Sequence, residues 1–301
     1  MTDWDSVRRT VDATIRDRGV WYGLADGDWV PIATVEPVER PTQRHTRLAS
    51  PELSLVLPGV VDGKVSVVAD ELIAPDLGTM DEQGYFDAAN VENRNIIVAR
   101  AGERGRQAFF IPFNDAEGQR APERVGVEAS GLLSLLDAHP CPSIPESWRG
   151  GWELKEADAG GVYKTPRMYS LVEFSTRADG YTVTGPAELV IRRVVQDSLD
   201  AVQAHMRVLE PDWERPHMVV DFAPTGRVSP EAYIRVQDDY VLPTVEETAR
   251  NAGVNISADL WWPGDAPVVV RVSRPDQPLV TGPRSWEHPI AVVRVEQMEE
   301  V

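Results

Sequence analysis

The sequence predicts an α+β fold that is mainly β, with accessory helices. Three observations carry this reading. Short apolar runs with period-two alternation recur along most of the chain, separated by Gly, Pro, Asn and Asp. Only a few stretches show the three-to-four spacing of an amphipathic helix. The elements follow the order strands, helix, strands, helix, strands, which suits α+β better than a doubly wound parallel sheet.

Residues 2–18 are expected to form a helix, because Trp4, Val7, Val11 and Ile15 share one face. Thr2 and Asp5 fit a capping box, and Gly19 is the stop. "VWYGLADGDWVPIATVEPVE" then reads as a hairpin around Asp26-Gly27, with Trp21 and Trp29 in alternating strands where burial is the common fate. "SPELSLVLPGV" alternates Leu53, Leu55 and Leu57 before a Pro58-Gly59 turn. "KVSVVADELIA" is read as a strand. "NRNIIVARAGERGRQAFFIPF" gives two strands about a Gly-Glu-Arg-Gly turn, and "ERVGVEAS" one more. "GLLSLLDAH" is a short helix closing the unit.

Residues 139–160 are rich in Pro and Gly and have no lasting period, so they read as a connection between domains or a loop draped over the surface. Trp148 and Trp152 there are expected to anchor the loop to the body. "RMYSLVEFSTR" begins the second half as a strand. Pro186 opens a helix over 186–209, in which Leu189, Val190, Val194, Leu199, Val202, Met206 and Leu209 fall mostly on one side. "HMVVDFAP" and "AYIRVQDDYVL" read as strands. A capping box at Thr244 and Glu247 starts a helix over 244–252. "NISADLWW", "PVVVRVSR" and "IAVVRVEQ" complete the strands. The organisation predicted is therefore an N-terminal helix (1–18), a first β domain (19–138), a connection (139–160) and a second domain (161–301).

The charge narrows the function classes. Asp and Glu number 48 against 30 Lys and Arg, for a net charge of −18. Binding a nucleic-acid backbone needs clustered cations, and only pairs such as Arg8-Arg9 and Arg192-Arg193 occur, so stable DNA binding is not expected. An acidic surface does suit a protein past which DNA slides without sticking. No apolar run is long enough for a membrane span, and the charged N-terminus lacks the apolar core of a signal peptide.

Chemistry-bearing motifs are sparse. The chain contains neither G-x-x-x-x-G-K-[ST] nor G-x-G-x-x-G, and no G-x-S-x-G elbow. The five histidines are scattered without metal-ligand spacing. The single cysteine, Cys141, follows His139 by two residues, but adjacency in sequence does not make a nucleophile pair. Two carboxylate pairs, Asp238-Asp239 and Glu246-Glu247, keep a glycosidase in view; on a strand the first pair would point to opposite faces. Nine tryptophans keep a carbohydrate-binding module in view. Trp261 and Trp262 are the best candidates, since one of two strand neighbours should face outwards, to a glycan or to another subunit. No catalytic, cofactor-binding or metal-binding residue is predicted.

Three stretches in order, "SPELSLVLPGV", "NRNIIVARAGERGRQAFFIPF" and "ERVGVEASGLLSLLDAHPCP", resemble the minor tail proteins of long-tailed phages of actinobacteria, and more specifically their baseplate-hub or tail-hub family. "LPTVEETARNAGVNISADLWWPGD" is similar to the segment that opens that family's second tube domain. The resemblance spans about two-thirds of the chain. It implies two tail-tube-like β-barrel or sandwich domains, each with a helix, and a homotrimeric ring at the tail tip. Such a ring has pseudo-sixfold symmetry and links the tube to distal-tail, tape-measure-type and other tail-tip proteins. It also implies transient passage of DNA, no cofactor, no membrane and a place in the virion. Relatives are often longer, with a region for host contact, so a purely structural hub is expected here.

Overall fold

A computed structural model of the chain describes residues 2–73, 80, 83–84, 93–103, 105–118, 122–149, 152–175, 180–209, 216–273 and 278–299. Among the described residues the protein is mainly β, with 42% strand, 24% helix and five α-helices. Contacts divide it into two units. The first is residues 1–134, 258–266 and 285–291; the second is 135–257, 267–284 and 292–301. Neither is continuous in sequence, so no single connection near 139–160 parts the chain.

The first unit holds α1 (Trp4–Arg18), α2 (Val67–Leu72) and nine strands. These are β1 (Val20–Ala25), β2 (Pro31–Thr34), β3 (Thr42–Arg44), β4 (Glu52–Pro58), β5 (Val60–Val61), β6 (Lys64–Val65), β7 (Asn95–Arg100), β8 (Gln107–Glu117) and β9 (Arg124–Gly131). Seven of them form one antiparallel sheet in the order β2-β1-β7-β8-β9-β4-β3.

The sheet is strongly curled, and chain length shows why. Val35 extends β2, its N–H donating to Tyr22 O; Glu39 extends the line of β3, its N–H donating to Val56 O. β2 and β3 are the two edges, so in a flat sheet they would lie six spacings, roughly 29 Å, apart. Four residues reach at most about 14 Å. The edges must therefore approach each other. Gln43 of β3 accordingly accepts a hydrogen bond from Arg100 of β7.

The concave face carries one core. Alternation puts Leu53, Leu55 and Leu57 of β4 inside, with Leu24, Ile96, Val98, Phe109, Val125 and Val127 from four other strands. Each such side chain contributes about 1.5–3 kcal/mol by burial. Val68, Ala69 and Leu72 of α2 close the cluster. The run "KVSVVADELIA" is thus mostly helix, not strand: Ser66 caps it by accepting from Ala69 N–H at 3.2 Å. Before it, Asp62 and Gly63 both take positive φ in the β5–β6 turn, the type I′ geometry that Asp-Gly favours.

α1 begins two residues later than predicted. Asp3, not Thr2, is its cap, accepting from Ser6 N–H at 3.1 Å, while Gly19 ends it in the left-handed conformation as expected. Val11 is buried on the expected face, and the helix packs on β1 and β7.

The second unit contains α3 (Ser134–Ala138), α4 (Ala187–Leu209), α5 (Val241–Asn251) and a 3-10 turn, Pro145–Arg149. The remaining strands are β10 (Pro140–Cys141), β11 (Trp152–Asp158), β12 (Gly161–Ser170), β13 (Thr182–Pro186), β14 (Met218–Asp221), β15 (Glu231–Arg235), β16 (Asp239–Tyr240), β17 (Val254–Trp261), β18 (Val268–Arg271), β19 (Thr281–Arg284) and β20 (Ile290–Gln297), of which residues 258–261 and 290–291 count with the first unit. Apart from the three-stranded sheet β14-β20-β17, they pair two by two. Residues 152–158, expected to be part of a structureless connection, form a hairpin with β12 instead. Of "RMYSLVEFSTR", only residues 167–170 are strand and 176–177 lie outside the described residues, as does 274 of "PVVVRVSR".

α4 is the axis of this unit, packed on by the 3-10 turn, α5, β10, β13, β14 and β15. Its predicted one-sided apolar face is an underestimate. Glu188, Arg192, Gln196, Asp197 and Ser198 are buried as well. Arg192 pairs with Glu188 at 2.5 Å and donates to the carbonyls of Val295 (2.7 Å) and Ala223 (2.8 Å). Arg271 bridges Asp197 and Asp200 at 2.5 and 2.6 Å, and Tyr181 donates to Asp197 at 3.0 Å. Buried charge is tolerated because each is paired and hydrogen-bonded.

α5 starts three residues before the predicted capping box. Tyr240 precedes it without a side-chain cap, and Thr244 bonds back to Tyr240 O. Pro243 sits in the first turn, where its missing N–H costs nothing.

Candidate functional site

The tryptophans are the strongest candidates that the sequence offers. Trp261 and Trp262 are both buried, at 5% and 0% exposure, which removes the expectation of an outward-facing or subunit-interface ring there. The alternation on which that expectation rested ends with β17 at Trp261. Asp265 N–H then donates to Trp262 O and turns the chain. The two rings diverge. Trp261 packs edge-on against Trp286, and its Nε1 donates to Ala266 O at 2.9 Å. Trp262 meets Trp4 at 5.5 Å and Trp21 at 6.0 Å.

Arg106 completes that cluster. Its guanidinium lies 4.0 Å over the Trp262 ring and is clamped by Asp265 at 2.6 and 3.2 Å. Asp265 also accepts from Trp262 N–H at 2.8 Å. A cation stacked on indole and held by a bidentate carboxylate is a packing device. It leaves no open ring for a ligand.

Trp21 and Trp29 part company. Trp21 is buried in β1 and donates from Nε1 to Thr34 Oγ1 at 3.0 Å. Trp29 is not in a strand: it is half-buried in the β1–β2 turn with φ 64°, edge-on to Phe110 at 4.8 Å. Trp148 packs on His205 of α4 at 5.4 Å, the anchoring expected of it. The side chain of Trp152 lies outside the described residues.

The carboxylate pairs do not converge. Asp238, at φ 56°, accepts from Ser143 N–H (2.8 Å), Ser143 Oγ (2.7 Å) and Ser175 N–H (3.0 Å). Its charge thus ties three segments of the second unit together. Asp239 is exposed and accepts from Tyr240 N–H. Glu246 pairs with Arg250 one turn along α5, and Glu247 is exposed beside it.

Cys141 and His139 do not pair with each other either; both face Ser198 of α4. Ser198 Oγ lies 3.3 Å from Cys141 Sγ, and His139 Nε2 lies 3.3 Å from Ser198 O. Burial pushes the thiol up to about 11 and pulls the imidazole down to about 4. A protonated thiol beside a neutral imidazole is the reverse of an activated nucleophile. Among the described residues, no group of three or more His, Cys, Asp or Glu is placed to hold a metal ion. No helix among them is long and apolar enough to cross a membrane.

One surface feature was missed in the sequence. Among the described residues, the side chains of the β11–β12 hairpin are almost all exposed, with Val162 at 85% and Leu154 at 61%. Leu171 and Phe174, just beyond it, are exposed as well, Phe174 at 66%. Internal bonds shape it: Tyr163 OH donates to Asp158 at 2.7 Å and lies 2.8 Å from Tyr169 OH, and Arg167 stacks on Tyr163 at 4.3 Å. A two-stranded hairpin is marginal in water without a packed face. It carries Lys155 and Lys164, two of the chain's three lysines. The only sequence signal was Asp158-Ala-Gly-Gly161, a turn flanked by residues of mixed polarity.

No protein-family model matches the chain, and no curated protein is similar to it.

Proposed function

We propose that the protein is a structural subunit of a phage tail tip, a baseplate hub that assembles as a homotrimeric ring. In this reading the two units serve as two tube-like domains, so three chains supply six positions around a channel. The ring joins the tail tube to distal-tail, tape-measure-type and other tail-tip proteins, and DNA passes through without specific binding. Its place is the virion, and it performs no catalysis.

The observation that carries the reading is the exposed β11–β12 hairpin. Its described apolar residues Leu154 and Val162 lie exposed, as do Leu171 and Phe174 just beyond it, which suits an arm completed by assembly. The curled seven-stranded sheet around a single core supports a tube-like first domain. The acidic balance of −18 supports a channel that repels nucleic acid. Head-to-tail contacts that close by rotation make such a ring. A glycan-binding or glycosidase role built on Trp261, Trp262 or Asp238-Asp239 loses its support, since those groups are buried or engaged.

Quantitative mass spectrometry of purified particles tests this. About three copies per virion, far below the major tube protein, is the expected result. Absence from the particle overturns the reading.

A further inference from the structure

The turn that opens the β1–β2 hairpin is built with more care than a connection requires. Asp26 Oδ1 accepts from the N–H groups of both Asp28 and Val30 at 2.9 Å, and Trp29 N–H donates to Asp26 O at 3.1 Å. Asn95, buried in β7, donates from Nδ2 to that same Asp26 carbonyl at 2.8 Å. These bonds hold Trp29 at a positive φ that a bulky residue avoids. Such strain persists only where its surroundings over-determine it, and it clusters at ligand clamps.

Beside the turn is a cavity of about 220 Å3 in the first unit. Gly27 forms part of its wall, and Phe110, against which Trp29 is braced, forms another part. Leu72 and Ile111 add apolar surface. Among the described residues, the polar lining carries one cation and one anion. Arg94 and Glu71 both line it and are paired with each other at 2.7 and 2.8 Å. A cationic ligand would meet Arg94, and an anionic one Glu71. Asn93 and Asn114 bring carboxamides, and Asn114 commits its Nδ2 to Leu72 O at 3.1 Å, which leaves the oxygen end for a ligand donor. The volume falls below the roughly 300–1,000 Å3 of sites for drug-sized ligands, so it suits one small ring.

We propose that this cavity binds a neutral, hydroxyl-bearing ring of monosaccharide size. One apolar face would rest on Phe110, and the hydroxyls would exchange hydrogen bonds with Asn93, Asn114 and the Arg94–Glu71 pair. Hydroxyls both donate and accept, as that mixed lining requires. The proposal is independent of the tail-tip reading: either can fail alone.

The test is saturation-transfer NMR on the full chain with N-acetyl-D-glucosamine, methyl α-D-mannopyranoside and methyl β-D-galactopyranoside, each at roughly 10 mM to suit a millimolar Kd. D-glucuronate and D-glucosamine serve as charged comparators. Saturation transfer to at least one neutral sugar is expected. It should fall at least about tenfold in F110L and several-fold in N93A, an exposed position that leaves the fold intact. Tyr233→Ala, in the second unit, should change nothing. No transfer to any neutral sugar overturns the proposal, as does transfer that survives undiminished in N93A and F110L. Stronger binding of either charged sugar overturns the assigned chemistry.

Discussion

The indole of Trp21 lies across the α-carbon of Gly23, two residues further along the same face of β1. A Cβ built on Gly23 would meet the ring at 2.0–2.8 Å. The ring then meets Trp262 in a T-shaped contact at 6.0 Å, so this glycine makes room for the tryptophan cluster. Gly23→Ala should therefore destabilise the protein by about 1–3 kcal/mol, the usual cost of overpacking. Urea unfolding followed by tryptophan fluorescence reads it; an unchanged midpoint would show that the ring can move aside.

Trp262→Ala should cost about 3–5 kcal/mol, as large aromatic truncations in cores do. Asp265→Ala should cost less, on the order of 1–3 kcal/mol, by freeing Arg106 from its clamp. Because both act on one cluster, the double variant should lose less than the sum. Strict additivity in thermal or urea denaturation would contradict the shared geometry.

Asp238 and Asp239 should differ sharply. Asp238→Ala removes the acceptor for Ser143 and Ser175 and should cost about 1–3 kcal/mol. Asp239→Ala, at an exposed carboxylate, should stay within about 0.5 kcal/mol. Equal effects would refute the assignment of a clamp to Asp238 alone.

His139 supplies an acid sensitivity. Its folded value is pulled down to about 4 by burial, while the unfolded chain titrates near 6.5. The unfolded state then binds the extra proton first, so stability should fall as pH drops from about 6.5 to 4 and level off below. Cys141 works at the other end: its raised value makes stability fall between about pH 9 and 11. His139→Gln should flatten the acid limb of a pH–stability curve. The thiol should resist iodoacetamide at pH 8 in the native protein and react once it is unfolded.

Replacing residues 153–169 by a short Gly-Ser linker should leave the thermal midpoint nearly unchanged, because the β11–β12 hairpin buries little. The shortened chain should nevertheless fail to enter particles in a complementation assay. Normal incorporation would remove the assembly role given to the arm.

Much of the first unit was legible because its strands are long and one face is buried. Leu53, Leu55 and Leu57 alternate cleanly, and so do Val125, Val127 and Ala129. α2 was not, since six residues give too little period to distinguish a helix from a strand; only Ser66 marked it. The burial of polar residues along 188–198 of α4 was hidden because the partners of Arg192 and Asp197 lie far along the chain, at Val295 and Arg271. Trp261 and Trp262 misled for a related reason: alternation rules end where a strand ends. The cavity beside Trp29 escaped notice because its wall comes from β7, β8 and α2 together, and no local pattern records that meeting.

The pairing of Arg192 with the Val295 carbonyl also sets a timetable for synthesis. The two residues are 103 positions apart, so at about 5–20 residues per second a ribosome needs about 5–20 s to travel between them. During that interval Arg192 has Glu188 beside it on α4 but lacks the Val295 carbonyl, and Asp197 lacks Arg271 until that residue is made. The first unit waits as well, because residues 285–291 belong to it. Neither half can finish early as a seed for the other. A nascent chain of this protein should depend on chaperones until its last strand is free, and expression at lower temperature should improve its yield.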